Sequence, residues 1–248
     1  MDFELERLAV LGLALAAGAI VKGATGMGLP LIALPVLTTA FGLQHAVGIM
    51  AVTQVLTNAL QLWQFRTAGQ SERMRFLPLF LFAGGLGVIL GTLALHSLPE
   101  RTLVFSLGVL LLGYFLLKIS RPHLSVDAGL ARRGGPFAGF GSGVLQGATG
   151  ISAPVGVTFI HAMGLERGAH LYAVSAMFLV LGLVQFPALV VSGIMQPAWI
   201  VEALLAMIPI LVFMPIGQAL AGRLSRRAFD LMILIFLGLM GLKMVLGL

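Results

Sequence analysis

The sequence has no cysteine, which excludes disulfides, thiolate metal ligands and thiol redox chemistry. It is also short of charge, with Asp, Glu, Lys and Arg making up only 10% of 248 residues. A soluble domain carries roughly 25% charged residues to cover its surface, so water is not the main solvent of this fold. No GxxxxGK[ST] loop occurs, so ATP hydrolysis of the P-loop kind is excluded. Polar stretches long enough to form a soluble domain are missing; the longest break runs from Lys118 to Gly135. The start, Met1 to Arg7, is acidic where a cleavable signal peptide is basic, so the apolar stretch after it is expected to be retained.

What is present is apolar. Hydrophobic residues make up 59% of the chain and the mean hydropathy is +1.05. The apolar runs approach the ~20 residues that a helix needs to cross a hydrocarbon core. Runs such as Leu103–Leu117 and Leu231–Met240 are apolar on every face, whereas a membrane barrel alternates polarity over ~10-residue segments. The fold class expected is an all-α integral membrane protein. The net charge of +6 and the pI near 10.8 come from Lys and Arg in the breaks between runs. That placement reflects membrane orientation and anionic headgroups rather than nucleic-acid binding.

The chain also matches itself. Lys22-Gly23-Ala24-Thr25-Gly26-Met27-Gly28-Leu29-Pro30 echoes Gln146-Gly147-Ala148-Thr149-Gly150-Ile151-Ser152-Ala153-Pro154. At a nearly constant offset Phe41-Gly42-Leu43 finds Met163-Gly164-Leu165, Gly91 finds Gly217, and Lys118 finds Lys243. Two homologous repeats are therefore expected: a first over 1–120, an inter-repeat loop over 121–133 and a second over 134–248. Each opens on a segment broken at Gly-Ala-Thr-Gly. Reading that segment as one crossing gives eight spans; reading it as a down-and-up pair gives ten, and five per repeat inverts the second copy. The paired reading gathers Arg66, Arg73, Arg75, Lys118, Arg121, Arg132, Arg133, Arg167, Arg223, Arg226 and Arg227 on one side, leaving Arg7, Arg101 and Lys243 on the other. The eight-span reading scatters them more evenly. Positive charge thus favours the paired reading with an inverted second repeat, eight long helices and up to ten segments, and both termini on the outer side.

The stretches after the breaks, Met27–Phe41 and Ile151–Met163, barely span, so half-length or re-entrant helices are expected there. Glycines at 23, 26, 28, 147 and 150 let the backbone leave helical geometry and approach a ligand. A helix restarting after such a break presents unpartnered N–H groups and a positive dipole end, which suit an anion. Thr25, Thr149 and Ser152 add hydroxyls, Lys22 adds a cation, and Gln146 stands at the equivalent place. Gln54, Asn58 and Gln61 share one helical face, and Ser175 and Gln185 occupy the corresponding helix of the second half. The competing reading of the glycines is close helix packing, and of the amides, hydrogen bonding between helices. Gly139, Gly143 and Gly147 repeat every fourth residue, as do Gly87 and Gly91, and are read as packing faces. Ser142 is read as no nucleophile, and His161 and His170 as loop histidines. Glu202 and Lys22 are the sole candidates for coupling to protons. No catalytic residue, metal ligand or cofactor is expected.

The duplicated Gly-Ala-Thr-Gly break, the helices per repeat and the size together resemble the sulfite exporter TauE/SafE family, also called TSUP, over essentially the whole chain. The resemblance implies a cell-membrane transporter of small anions: sulfite, sulfonates such as sulfoacetate, and related organosulfur compounds. It puts the family motifs at Lys22–Gly28 and Gln146–Ser152, with the second copy departing at Gln146 and Ser152. The expected activity is secondary transport by alternating access around a midplane site; a passive anion channel or facilitator and a non-transporting membrane subunit are the alternatives. The expected partners are the small anionic substrate and membrane lipid, with a homodimer left open.

Overall fold

The computed structural model describes residues 2–70, 74–120, 128–220 and 226–247. They form α1 (Asp2–Thr25), α2 (Leu29–Phe41), α3 (Leu43–Gln64), a 3-10 turn (Arg66–Gln70), α4 (Leu77–Ser97), α5 (Glu100–Ser120), α6 (Ala128–Thr149), α7 (Gly156–Ala162), α8 (Arg167–Val191), α9 (Pro197–Leu220) and α10 (Arg226–Leu246). No strand occurs among the described residues. Eight of these helices have 21 residues or more, and α2 and α7 are short, with 13 and 7. Six are long and apolar enough to cross a bilayer: α1 from Arg7, α3, α4, α5, α8 and α9. This is an all-α, multi-pass membrane protein. α6 already begins at Ala128, inside the stretch read from sequence as the inter-repeat loop.

Contacts at the helix ends fix their directions. At one end, Arg7 of α1 bonds Glu202 in the second turn of α9 at 2.9 Å and lies over the Phe41 ring at the close of α2. There too the Leu43 N–H at the start of α3 donates to Glu100 at the start of α5. At the other end, Phe76 before α4 meets Phe159, and Tyr172 of α8 covers Gly69. Gly135 of α6 lies against both Phe76 and Phe159. Hence α1 and α9 start where α4 and α6 do not, and helices that the sequence match equates, α1 with α6 and α4 with α9, run in opposite senses. The last turn of α10 returns beside Arg101 and Thr102, so both ends of the described chain lie on one side.

Both broken segments are hairpins. A Cβ on Gly18 would meet the Leu29 carbonyl oxygen at 2.9 Å and the Ala33 Cβ at 3.4 Å, so α2 folds back along α1. A Cβ on Gly156 would meet the Ser142 Oγ at 2.8 Å, so α7 returns along α6. Of the two layouts left open by sequence, the chain takes the down-and-up one. The charge count follows: Arg66, Arg75, Lys118, Arg133 and Arg167 lie toward one end, and Arg7, Arg101 and Lys243 toward the other. Arg73, Arg121 and Arg223 lie outside the described residues, as do the side chains of Arg132, Arg226 and Arg227.

Glycine makes the central contacts. α6 crosses α4 with Gly139, Gly143 and Gly147 laid on the backbone of Phe80, Gly84 and Val88, while Gly87 and Gly91 face the carbonyls of Phe140 and Val144. α1 crosses α9 in the same manner, with Gly23 on Met214 and Gly217 on Ile20. Close approach of this kind gives van der Waals contact where lipid leaves no hydrophobic drive between helices. The outward faces are apolar: Leu79, Phe82, Leu86 and Leu93 of α4 and Leu204, Ile208 and Leu211 of α9 are half or more exposed. Polar side chains are turned inward, and that inversion positions the site.

Candidate functional site at two helix breaks

Each break has one backbone recipe. α1 stops at Thr25 because Gly26 takes φ +79°, and α6 stops at Thr149 because Gly150 takes φ +75°. Left-handed glycine closes a helix by returning its N–H to the carbonyl four residues back. Gly26 donates to the Lys22 oxygen at 2.7 Å and Gly150 to the Gln146 oxygen at 2.8 Å. The threonines reinforce the stop: Thr25 Oγ1 donates to Val21 and Thr149 Oγ1 to Leu145, both at 2.8 Å. In the structure these hydroxyl protons serve the helix ends. Beyond the first break α2 restarts at Gly28 with no side-chain cap and with Pro30 in its first turn. Beyond the second, α7 is a short helix, so a full helix dipole follows only the first break.

The side chains differ. Lys22 is 2% exposed, and its Nζ donates to Asn58 Oδ1 of α3 at 2.7 Å. An ammonium has three donors and asparagine's oxygen takes one. Asn58 Nδ2 donates to the Gln54 carbonyl oxygen, which turns the Asn58 oxygen toward Lys22. Gln61, one turn further along α3, packs its amide against Gly26 and leaves a buried, unpartnered Oε1. Gln146 is fully buried and fully engaged. Its Nε2 donates to Gln54 Oε1 at 2.9 Å and to Gln185 Oε1 at 2.8 Å, while its Oε1 accepts from Ser152 Oγ at 2.9 Å. Gln185 Nε2 donates to the Gln146 carbonyl oxygen at 2.7 Å. Gln54 and Asn58 are one turn apart on α3, about 6 Å in height, so the two breaks meet near one level of the helix stack.

The structure therefore brings together Lys22, Gly26, Asn58 and Gln61 around the first break, and Gln146, Gly150, Ser152 and Gln185 around the second, with Gln54 bonded to Gln146 and one turn from Asn58. Gly23 and Gly147 lie on the opposite, packing face, and their role here is close approach of α9 and α4. Ser175 donates to Leu171 within its own helix, and Ser142 to Ala138. His161 and His170 pack ring against ring at 5.7 Å.

Sequence reasoning passed over His45. Its ring nitrogen lies 2.7 Å from Glu202, its ring stacks on Trp199 at 4.7 Å, and Glu202 also holds Arg7. This cluster ties α1, α3 and α9 together on the side where both ends of the described chain lie. Its members are separated by up to 195 residues, so no local spacing announces it. No group of three or more His, Asp or Glu able to hold a metal exists among the described residues.

A family model described as sulfite exporter TauE/SafE matches residues 10–244, nearly the whole chain. No match to the chain is found among curated proteins or among solved structures.

Proposed function

The chain belongs to the sulfite exporter TauE/SafE family of membrane transporters, and on that premise we propose that it carries a small anion, sulfite or an organosulfonate such as sulfoacetate, around the two helix breaks. The observation that carries this reading is Lys22: a buried cation at the end of a transmembrane helix, with one acceptor among the described residues, beside an uncapped helix start. A charge inside the bilayer is costly, and it is retained where it meets a substrate or ion path. The uncapped N–H groups of α2 and the ammonium point to one ligand type, an anion with several oxygen acceptors.

The opposed senses of α1 and α6, and of α4 and α9, support two inverted repeats, an arrangement that gives alternating access by rocking one half on the other. The cell (inner) membrane is the setting that a multi-pass transporter of this family fits. The arginine-rich end is then the cytoplasmic one.

The test is binding of sulfite, sulfoacetate and sulfate to the purified protein, read by thermal shift, with Lys22→Ala alongside. A ligand that binds the folded state raises the apparent melting temperature by mass action. Stabilisation by sulfite or sulfoacetate that disappears in Lys22→Ala is expected, a loss of at least about tenfold in affinity for a charged hydrogen bond worth about 1.5–3 kcal/mol. Stabilisation by none of the three anions removes the reading. In proteoliposomes, saturable flux with counterflow is expected; flux without either would turn the protein into a passive facilitator.

A further inference from the structure

The amide chain that joins the two breaks has a direction, and the direction has a chemical consequence. It starts at the backbone carbonyl of Gln146, which can only accept. The group of Gln185 that reaches it, at 2.7 Å, is therefore the NH2. The Gln185 oxygen then faces the Gln146 side chain, which must answer with its own NH2, at 2.8 Å. The second hydrogen of that NH2 goes to Gln54 at 2.9 Å, so Gln54 presents its oxygen. Ser152, donating to the Gln146 oxygen, is consistent with the same orientation. What remains at the far end is Gln54 Nε2, a donor that is buried and has no hydrogen-bond partner among the described residues. Had the chain begun on a donor instead of a carbonyl, the free end would have been an acceptor.

Resting on the reading of the site given above, we infer that Gln54 Nε2 is a ligand donor for the transported anion, and that Gln146 and Gln185 are positioning residues that hold it donor-outward without touching the ligand. Gln54 stands one turn from Asn58, the partner of Lys22, on the buried face of α3. The ligand is then held from the first break by the ammonium and the amide hydrogen. The second break supplies orientation alone, since Gln146 has both hydrogens and its oxygen committed. This accounts for a motif whose two copies share a backbone but not a charge: one cation and one fixed donor define a single anion site, not two. It also sets selectivity, because a fixed donor rejects a ligand that offers a proton there.

A double-mutant cycle tests it, with sulfoacetate as the probe and affinity measured by titration of the purified full chain. Gln54→Met should weaken binding by about tenfold, and Gln146→Met by about three- to tenfold in the wild-type background. In the Gln54→Met background Gln146→Met should change affinity by less than about twofold, because the group it positions is gone. A structural role for Gln146 would lower melting temperature without this non-additivity. If Gln146→Met does not fold, Gln185→Met breaks the same chain one link away and takes its place. Equal losses from Gln146→Met in both backgrounds, or none in the wild type, overturn the inference while leaving the anion reading intact, provided that Lys22→Ala still abolishes binding. Absence of sulfoacetate and sulfite binding in the wild type removes both.

Discussion

The two helix breaks share a backbone and divide in chemistry. Gly26 and Gly150 sit within a few degrees of each other in φ, and Thr25 and Thr149 make the same bond to the turn before. Three residues before each threonine the chain places Lys22 in one copy and Gln146 in the other. Among the described residues Lys22 has one acceptor for three donors, whereas Gln146 spans three partners and offers nothing further. The glycines and threonine thus determine where a helix stops inside the membrane. On the proposed function, the residue one turn earlier determines whether that stop serves a ligand or braces the protein.

The comparison predicts equal effects where the copies agree and opposite effects where they differ. The largest effect is expected from Gly23→Ala and Gly147→Ala, whose new Cβ atoms would press on the backbone of Met214 and of Val88 rather than on movable side chains. Each should destabilise by about 3 kcal/mol or more, seen as lost folded yield after extraction. A mild phenotype in one alone would mean that the two crossings are not equivalent.

Next comes the opposed pair. Gln146→Met strips partners from Gln54, Gln185 and Ser152 and should lower ligand-free stability by about 2 kcal/mol. Lys22→Met removes a buried charge held by one acceptor and should raise ligand-free stability by about 1 kcal/mol while losing the response to anion. Thermal melts of both variants with and without sulfoacetate check this, and a fall in both would remove the assignment of function to one break and bracing to the other. Effects of the same order, about 1–2 kcal/mol each for a left-handed φ, are expected from Gly26→Ala and Gly150→Ala, with Leu171 and Leu34 giving way. A large difference between them in melting temperature would show that the shared backbone is not equally strained.

Much of this was legible in the residues, and for local reasons. Apolar runs without charge could only be transmembrane helices, because unpaired backbone is intolerable in lipid. The Gly-Ala-Thr-Gly copies announced where helices end, and glycines every fourth residue announced the crossings of α4 with α6. Lys22 was visible as a cation inside an apolar run. The amides of α3 showed a polar face by spacing alone. Harder to see was which polar group reaches which. The bond from Gln146 to Gln54 spans 92 residues and that from His45 to Glu202 spans 157, and neither has a sequence period. The role of Gly23 was equally hidden, since a glycine near a ligand and a glycine under a helix read alike, whereas Gly147 already stood in the four-residue spacing of the packing face.

The sequence by itself therefore determined the solvent, the helices, the positions of the breaks and the one buried cation of the matched motifs, because each follows from composition or from a neighbour within a turn. Positive charge already favoured hairpins and an inverted second half; the tertiary structure fixed them, and it alone decided that the Gln185–Gln146–Gln54 chain ends on a donor. Those outcomes depend on groups far apart in the chain meeting at bonding distance, where a carbonyl that can only accept fixes the orientation of every amide beyond it.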